Sequence, residues 1–151
     1  MGRVSAKRPA PGTMPATPAG YSGTPLARKL GFKPGMRVAA LNAPNDYIQW
    51  VDPLPAGTRI EPALSRPAAA VHLFEVKRAS LARWLPRLRI ALQPDGFVWV
   101  SWPKRTSGVP TDITEDVIRE VALPLGFVDV KVCAVTDVWS GLKLVIRRSE
   151  R

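Results

Sequence analysis

Apolar residues recur along this chain with two periods, and the changes between them mark where helices give way to strands. Leu81, Trp84, Leu85, Leu88 and Leu92 fall on one stripe at helical spacing, while Arg83, Arg87 and Arg89 point elsewhere. This predicts a helix from about Ser80 to Leu92, bent at Pro86, whose ring removes a backbone hydrogen bond. Val128, Val130 and Val132 instead alternate with Asp129, Lys131 and Cys133; Leu142, Leu144 and Ile146 alternate with Lys143, Val145 and Arg147. The two alternating runs predict a closing hairpin, with Trp139-Ser140-Gly141 in its turn region. The runs Ala69 to Phe74 and Phe97 to Trp102 are nearly all apolar, as in central strands covered on both faces.

Punctuation supplies the other elements. Thr24 and Pro25 read as N-cap and first residue of a short helix carrying Leu26 and Leu30, with Gly31 as its left-handed stop. Lys33-Pro34-Gly35 turns the chain into a strand, Arg37 to Leu41, followed by a loop over Asn42 to Asp46. Tyr47, Ile48, Trp50 and Val51 predict a short helix ended by Pro53, and Arg59 to Leu64 a second, weaker strand. Asp95-Gly96 reads as the turn into the strand at Phe97. Asp112 and Glu115 have the spacing of a capping box at the start of a last helix, and Gly126 ends that run. The alternation predicts a Rossmann-like α/β domain over residues 20–151, with a mostly parallel sheet and a C-terminal antiparallel hairpin.

Charge and rare residues narrow the picture. The net charge is +10, of which +3 sits in residues 1–20 and +7 beyond, mostly as single Arg or Lys residues. Weak attraction to nucleic acid follows from that alone, without a dedicated site. Residues 1–19, with Pro9, Pro11, Pro15 and Pro18, predict a disordered basic tail, because such a stretch buries too little apolar surface to offset its ordering entropy. Apolar runs are broken well before the ~18 residues of a membrane span, and no secretory pattern opens the chain, so a cytoplasmic protein without membrane contact is expected. Cys133 and His72 are single, which excludes an internal disulfide and any multi-cysteine metal site.

Leu30-Gly31-Phe32-Lys33-Pro34-Gly35-Met36-Arg37-Val38 resembles the approach to the first strand of class I methyltransferases. Leu92-Gln93-Pro94-Asp95-Gly96-Phe97-Val98 is similar to their approach to a later central strand. More closely, residues from Gly20 to Arg148 resemble a bacterial family of small proteins classed only as a domain of unknown function. Gly20 to Leu26, Val100 to Lys104, Thr111 to Glu115, Val128 to Cys133 and Trp139 to Lys143 carry that likeness. The resemblance implies a truncated methyltransferase-like fold and no particular activity. It also implies departures. The glycine-rich turn that those enzymes place after the first strand, against the methionine part of S-adenosylmethionine, is Asn42-Ala43-Pro44 here. Their ribose-holding acid ending the second strand has no obvious equivalent, since Glu61 stands too early and Leu64 is apolar.

In open parallel sheets the ligand crevice lies beyond the carboxyl ends of the strands, where strand order reverses. That rule gathers Asn42 and Pro44 after the first strand, Glu75 after the third, Trp102 and Lys104 after the fourth, and Thr111 and Asp112 before the last helix. Lys104 and Arg105 offer an anion positive charge. Asp112 reads as a cap and not a base, and His72 and Ser101 as core residues. Cys133 reads as a half-buried strand cysteine, its thiol pKa lowered slightly by Lys131. Trp102 and Trp139 offer stacking platforms or wedges against the core.

The expectation is therefore a non-catalytic protein, with no cofactor and no metal, binding a small anionic ligand or a protein partner at Asn42, Pro44, Trp102, Lys104, Thr111 and Asp112. The alternative is an S-adenosylmethionine-dependent methyltransferase-like enzyme with an altered cofactor loop; nucleic-acid binding through the basic surface is the third reading.

Overall fold

The computed structural model describes residues 23–151. The tail expected at residues 1–19, and residues 20–22 of the expected domain, lie outside the described residues. Six strands make one sheet: β1 (Arg37–Leu41), β2 (Arg59–Glu61), β3 (Ala68–Phe74), β4 (Leu92–Pro103), β5 (Phe127–Ala134) and β6 (Trp139–Ile146). Their order is β2-β1-β3-β4-β6-β5. The first four are parallel, and β6 runs antiparallel between β4 and β5. From β1 the chain goes outward to β2 and then back past β1 to β3, so strand order reverses between β1 and β3.

Alternation along the strands feeds two cores. Ala39, Leu41, Leu73 and Val100 pack with Leu81, Leu85 and Leu88 of α3 (Arg78–Ala91) and Ile118 of α4 (Glu115–Ala122). Val38, Ala40, Phe74 and Trp99 pack with Leu26 of α1 (Leu26–Lys29) and with Tyr47 and Val51 of α2 (Tyr47–Val51). The indole of Trp99, fully buried, donates a 2.7 Å hydrogen bond to the carbonyl of Leu30 and so satisfies the C-terminal end of α1.

Several boundaries differ from the sequence expectation. Pro25 is itself the N-cap of α1, one position later than expected, while Gly31 does take the left-handed conformation (φ +85°). β2 stops at Glu61 and not Leu64, and α3 starts at Arg78 and runs through Pro86 to Ala91. Asp95-Gly96 is not a free turn but part of β4, at a register irregularity against β3. Glycine is needed there because a Cβ on Gly96 would stand 2.9 Å from the carbonyl oxygens of both Ala68 and Ala69. Trp139, Ser140 and Gly141 lie inside β6, the reversal being made before them. Thr136, buried, accepts the backbone N–H groups of Val138 and Trp139 at 3.1 Å and so shapes that reversal.

The expected capping box is rearranged as well. Thr114 caps α4 by accepting the N–H of Val117 at 3.2 Å, whereas Asp112 accepts the N–H of Arg78 at 2.6 Å and caps α3. Gly126 ends the run at φ +95°, after a 3-10 turn at Leu123–Leu125. Val130 and Val132 are half exposed, because β5 is the outer strand and its alternation slips at the irregularity between Asp129 and Lys131. Among the described residues no helix is long and apolar enough to cross a membrane.

Candidate functional site

The point of strand reversal is built by two short polar side chains. Asn42, directly after β1, adopts φ +58°, the left-handed region that favours glycine and that asparagine tolerates best among the other residues. The turn therefore does without the glycine that the methyltransferase resemblance calls for, yet keeps a glycine-like backbone. Asn42 Nδ2 donates at 2.9 Å to Oε2 of Glu75, the residue after β3, and the Glu75 N–H donates to the carbonyl of Ser101 on β4 at 3.0 Å. Partial burial pushes the Glu75 carboxyl up, while the Asn42 hydrogen bond and the charge of Arg83 pull it back.

A cleft of about 380 Å³ opens beside this turn, lined by Ala40, Asn42, Pro44, Tyr47, Ile48 and Glu61 among others. Glu61 is the last residue of β2, so it is not too early to be that strand's terminal acid; the strand is shorter than its apolar pattern implies. Arg37 holds its carboxylate by two hydrogen bonds of 3.0 and 3.1 Å.

A second groove, of about 650 Å³, lies at the end of β4 and the start of α4, with Trp102, Arg105, Val109, Thr111 and Arg119 on its walls. The loops of Asn42 and of Trp102 do leave the sheet at the same end, since their strands are parallel members of one sheet with β3 between them. The six expected residues are nevertheless divided. Asn42 and Pro44 border the first cleft, and Trp102 and Thr111 the second. Lys104 and Asp112 border neither. Thr111 is committed to structure: its hydroxyl donates to the Val76 carbonyl at 2.7 Å and accepts the Ile113 N–H at 3.0 Å. The Lys104 N–H donates to the Val138 carbonyl at 2.7 Å, fastening this loop to the hairpin.

Beneath the first cleft runs a buried polar chain. Tyr47 Oη lies 2.8 Å from His72 Nδ1, and His72 Nε2 lies 2.8 Å from Ser101 Oγ. A neutral imidazole has one donor and one acceptor nitrogen, so one hydroxyl donates to the ring and the other accepts from it. Burial lowers the His72 pKa to about 3, which keeps the ring neutral, and Phe74 stacks on it at 4.3 Å. His72 and Ser101 are thus core residues, as expected, but with partners that sequence distance concealed.

Two aromatic and thiol expectations are revised. Trp102 is buried in the core and is no open stacking platform, and Trp139 packs edge-on against Phe74 at 5.1 Å. For Cys133, burial raises the thiol pKa against the smaller lowering by Lys29 and Lys131, because the sulfur is turned into the α1-side core. Among the described residues no group of three metal-ligating side chains occurs.

The fold so assembled is that of a truncated class I methyltransferase. It is similar to a SAM dependent methyltransferase from Aquifex aeolicus (TM-score 0.59, 12% identity, covering 79% of this chain and 86% of that one). It is similar also to fibrillarin from Aeropyrum pernix, solved with natively bound S-adenosyl-L-methionine (0.55, 14%, 80% and 73%). TrmN from Thermus thermophilus matches at 0.51 with 12% identity over 80% of this chain, which spans about half, 47%, of that protein. No protein-family model and no curated protein matches the chain. These neighbours overturn the expectation of a non-catalytic anion- or partner-binding protein and favour its methyltransferase alternative.

The first cleft fits S-adenosylmethionine on this chain's own features. Its volume is of ligand scale, Asn42 keeps a glycine-like turn at the strand reversal, and Glu61 brings a carboxylate to its rim. Each Glu61 oxygen retains lone-pair capacity beyond its bond to Arg37.

Proposed function

We propose that this chain is an S-adenosylmethionine-dependent methyltransferase-type protein whose cofactor cleft lies between the ends of β1 and β2. The observation that carries the reading is the pairing of a left-handed Asn42 with a terminal Glu61 on one ligand-sized cleft. When bound, the cofactor supplies an electrophilic methyl group on a sulfonium. Here the Asn42-Ala43-Pro44 turn would border its methionine part, and Glu61, fixed in orientation by Arg37, would accept hydrogen bonds from the ribose hydroxyls. Ile48 and Tyr47 supply an apolar wall for the adenine. The groove of Trp102, Arg105 and Thr111 is the place for a methyl acceptor, across the Asn42–Glu75 bridge. A cytoplasmic location, as the sequence leads one to expect, goes with that reading.

Calorimetric titration with S-adenosylmethionine and S-adenosylhomocysteine tests the proposal. One-to-one binding in the micromolar range is expected, weakened in Glu61→Ala and unchanged in Lys104→Gln. Absence of heat with both ligands at millimolar concentration overturns it.

A further inference from the structure

We propose that Lys33, Lys131 and Lys143 form a docking surface for the phosphodiester backbone of a nucleic acid, on the α1 side of the β5–β6 hairpin. The sequence scatters these residues over more than a hundred positions; the fold converges them. Lys131 and Lys143 are direct cross-strand partners, a like-charge arrangement that destabilises a sheet by itself. The Lys143 ammonium lies 4.5 Å from the centroid of the Phe97 ring, half-buried beside Gly31, and Lys131 Nζ donates to the Lys29 carbonyl at 3.4 Å. Burial, then the charges of Lys131 and Lys33, push the Lys143 pKa down, and no carboxylate opposes them.

Among the described residues no carboxylate forms an ion pair with any of these three lysines. Asp129, the acid nearest in sequence on β5, is held by Arg119 of α4 at 3.1 Å. Residues 1–22 contain Arg3, Lys7 and Arg8 but no Asp or Glu. An external anion is therefore the partner that relieves the repulsion. A repeating phosphodiester fits best, because the three lysines come from separate elements, the loop before β1, the outer strand β5 and the adjoining β6, and so present a spread positive face and not one enclosed point. The inference does not depend on the cofactor reading.

Fluorescence anisotropy of labelled single-stranded RNA and DNA oligomers over a salt series, without cofactor, tests it. Lys33→Gln/Lys131→Gln/Lys143→Gln is compared with Arg59→Gln/Arg66→Gln/Lys77→Gln, which removes the same charge from positions outside the β5–β6 hairpin and α1. The cluster variant is expected to bind about tenfold or more weakly, and its log–log salt slope to fall by about 2, at ~0.7 per phosphate contact. The control should keep the native slope. Equal losses in both variants reduce the effect to bulk charge and overturn the proposal, as does binding of anionic phospholipid vesicles but of neither oligomer. Should the triple variant lose its circular dichroism, exposed Lys131→Gln alone decides: a slope lower by about 0.7 supports the surface, and an unchanged one overturns it.

Discussion

The two flanks of this sheet treat charge in opposite ways. On the β2–β1 flank the acids at the strand ends have partners: Glu61 is gripped by Arg37 through two bonds, and Glu75 accepts from Asn42. On the β6–β5 flank lysine faces lysine across the ladder. Both arrangements hang from the same rows of the sheet, for His72 pairs with Ala40 on one side and with Trp99 on the other, and Trp99 pairs with Lys143. A flank whose polar groups satisfy one another is a rigid cradle that needs no added counter-charge; a flank left with surplus charge calls for an external one.

The largest effect is expected where the two flanks join. His72→Phe leaves the buried hydroxyls of Tyr47 and Ser101 without their partner and should cost about 2–5 kcal/mol in urea unfolding. It should also change the acid response. His72 has a folded pKa near 3 against 6.5 when unfolded, so the unfolded chain binds the extra proton between those values. Native stability from this group is complete above pH 6.5 and falls towards pH 3 by up to about 1.4 kcal/mol per unit, a slope that the variant should flatten. Glu75, raised by burial, titrates in the opposite sense: its ionisation weakens the fold as pH rises from the ordinary carboxyl value through its folded pKa, which offsets part of the His72 slope in that window and none of it at the acid end.

Next comes the β3–β4 seam. Gly96→Ala forces a Cβ onto two carbonyl oxygens and should cost about 1–3 kcal/mol, measured as a lower urea midpoint with an unchanged m-value. On the paired flank, Glu61→Gln should weaken S-adenosylhomocysteine binding about tenfold, or ~1.4 kcal/mol, with little change in melting temperature. The same substitution should leave oligonucleotide binding alone, and loss of both together would merge the two flanks into one site. Smallest is the turn itself: Asn42→Gly keeps the left-handed backbone but loses the bond to Glu75 and should cost about 0.5 kcal/mol, whereas Asn42→Ala adds the left-handed strain and should cost about 1–1.5 kcal/mol in all.

Much of the fold was legible from short-range pattern. The strand at Arg37–Leu41, the helix at Tyr47–Val51, the apolar β3 and the Leu81/Leu85/Leu88 stripe all follow from periodicity, which reports the face each residue turns to the core. Misplaced details share a cause. Asp112 has the right spacing to cap its own helix, but Arg78, distant in sequence, offers it an unpaired N–H first. The capping partner of a short acid depends on which helix end stands nearest in space. Glu61 was discounted because Leu64 extends an apolar run, although pairing with β1 ends at Ala39 and Glu61. Of the candidate site, the strand-end rule grouped Asn42, Pro44, Trp102, Lys104, Thr111 and Asp112, whereas Asn42 and Pro44 border one cleft, Trp102 and Thr111 the other groove, and Lys104 and Asp112 neither.

The amino-acid order alone determined the class of fold, because burying alternate faces of apolar strands and one stripe of each helix admits few layered solutions. Only the tertiary structure decided which distant polar side chains meet. The Tyr47–His72–Ser101 chain, the Asn42–Glu75 bridge and the lysine cluster each join residues from separate elements. Such meetings depend on strand order and register, which set distances of a few ångströms between positions that the chain itself keeps far apart.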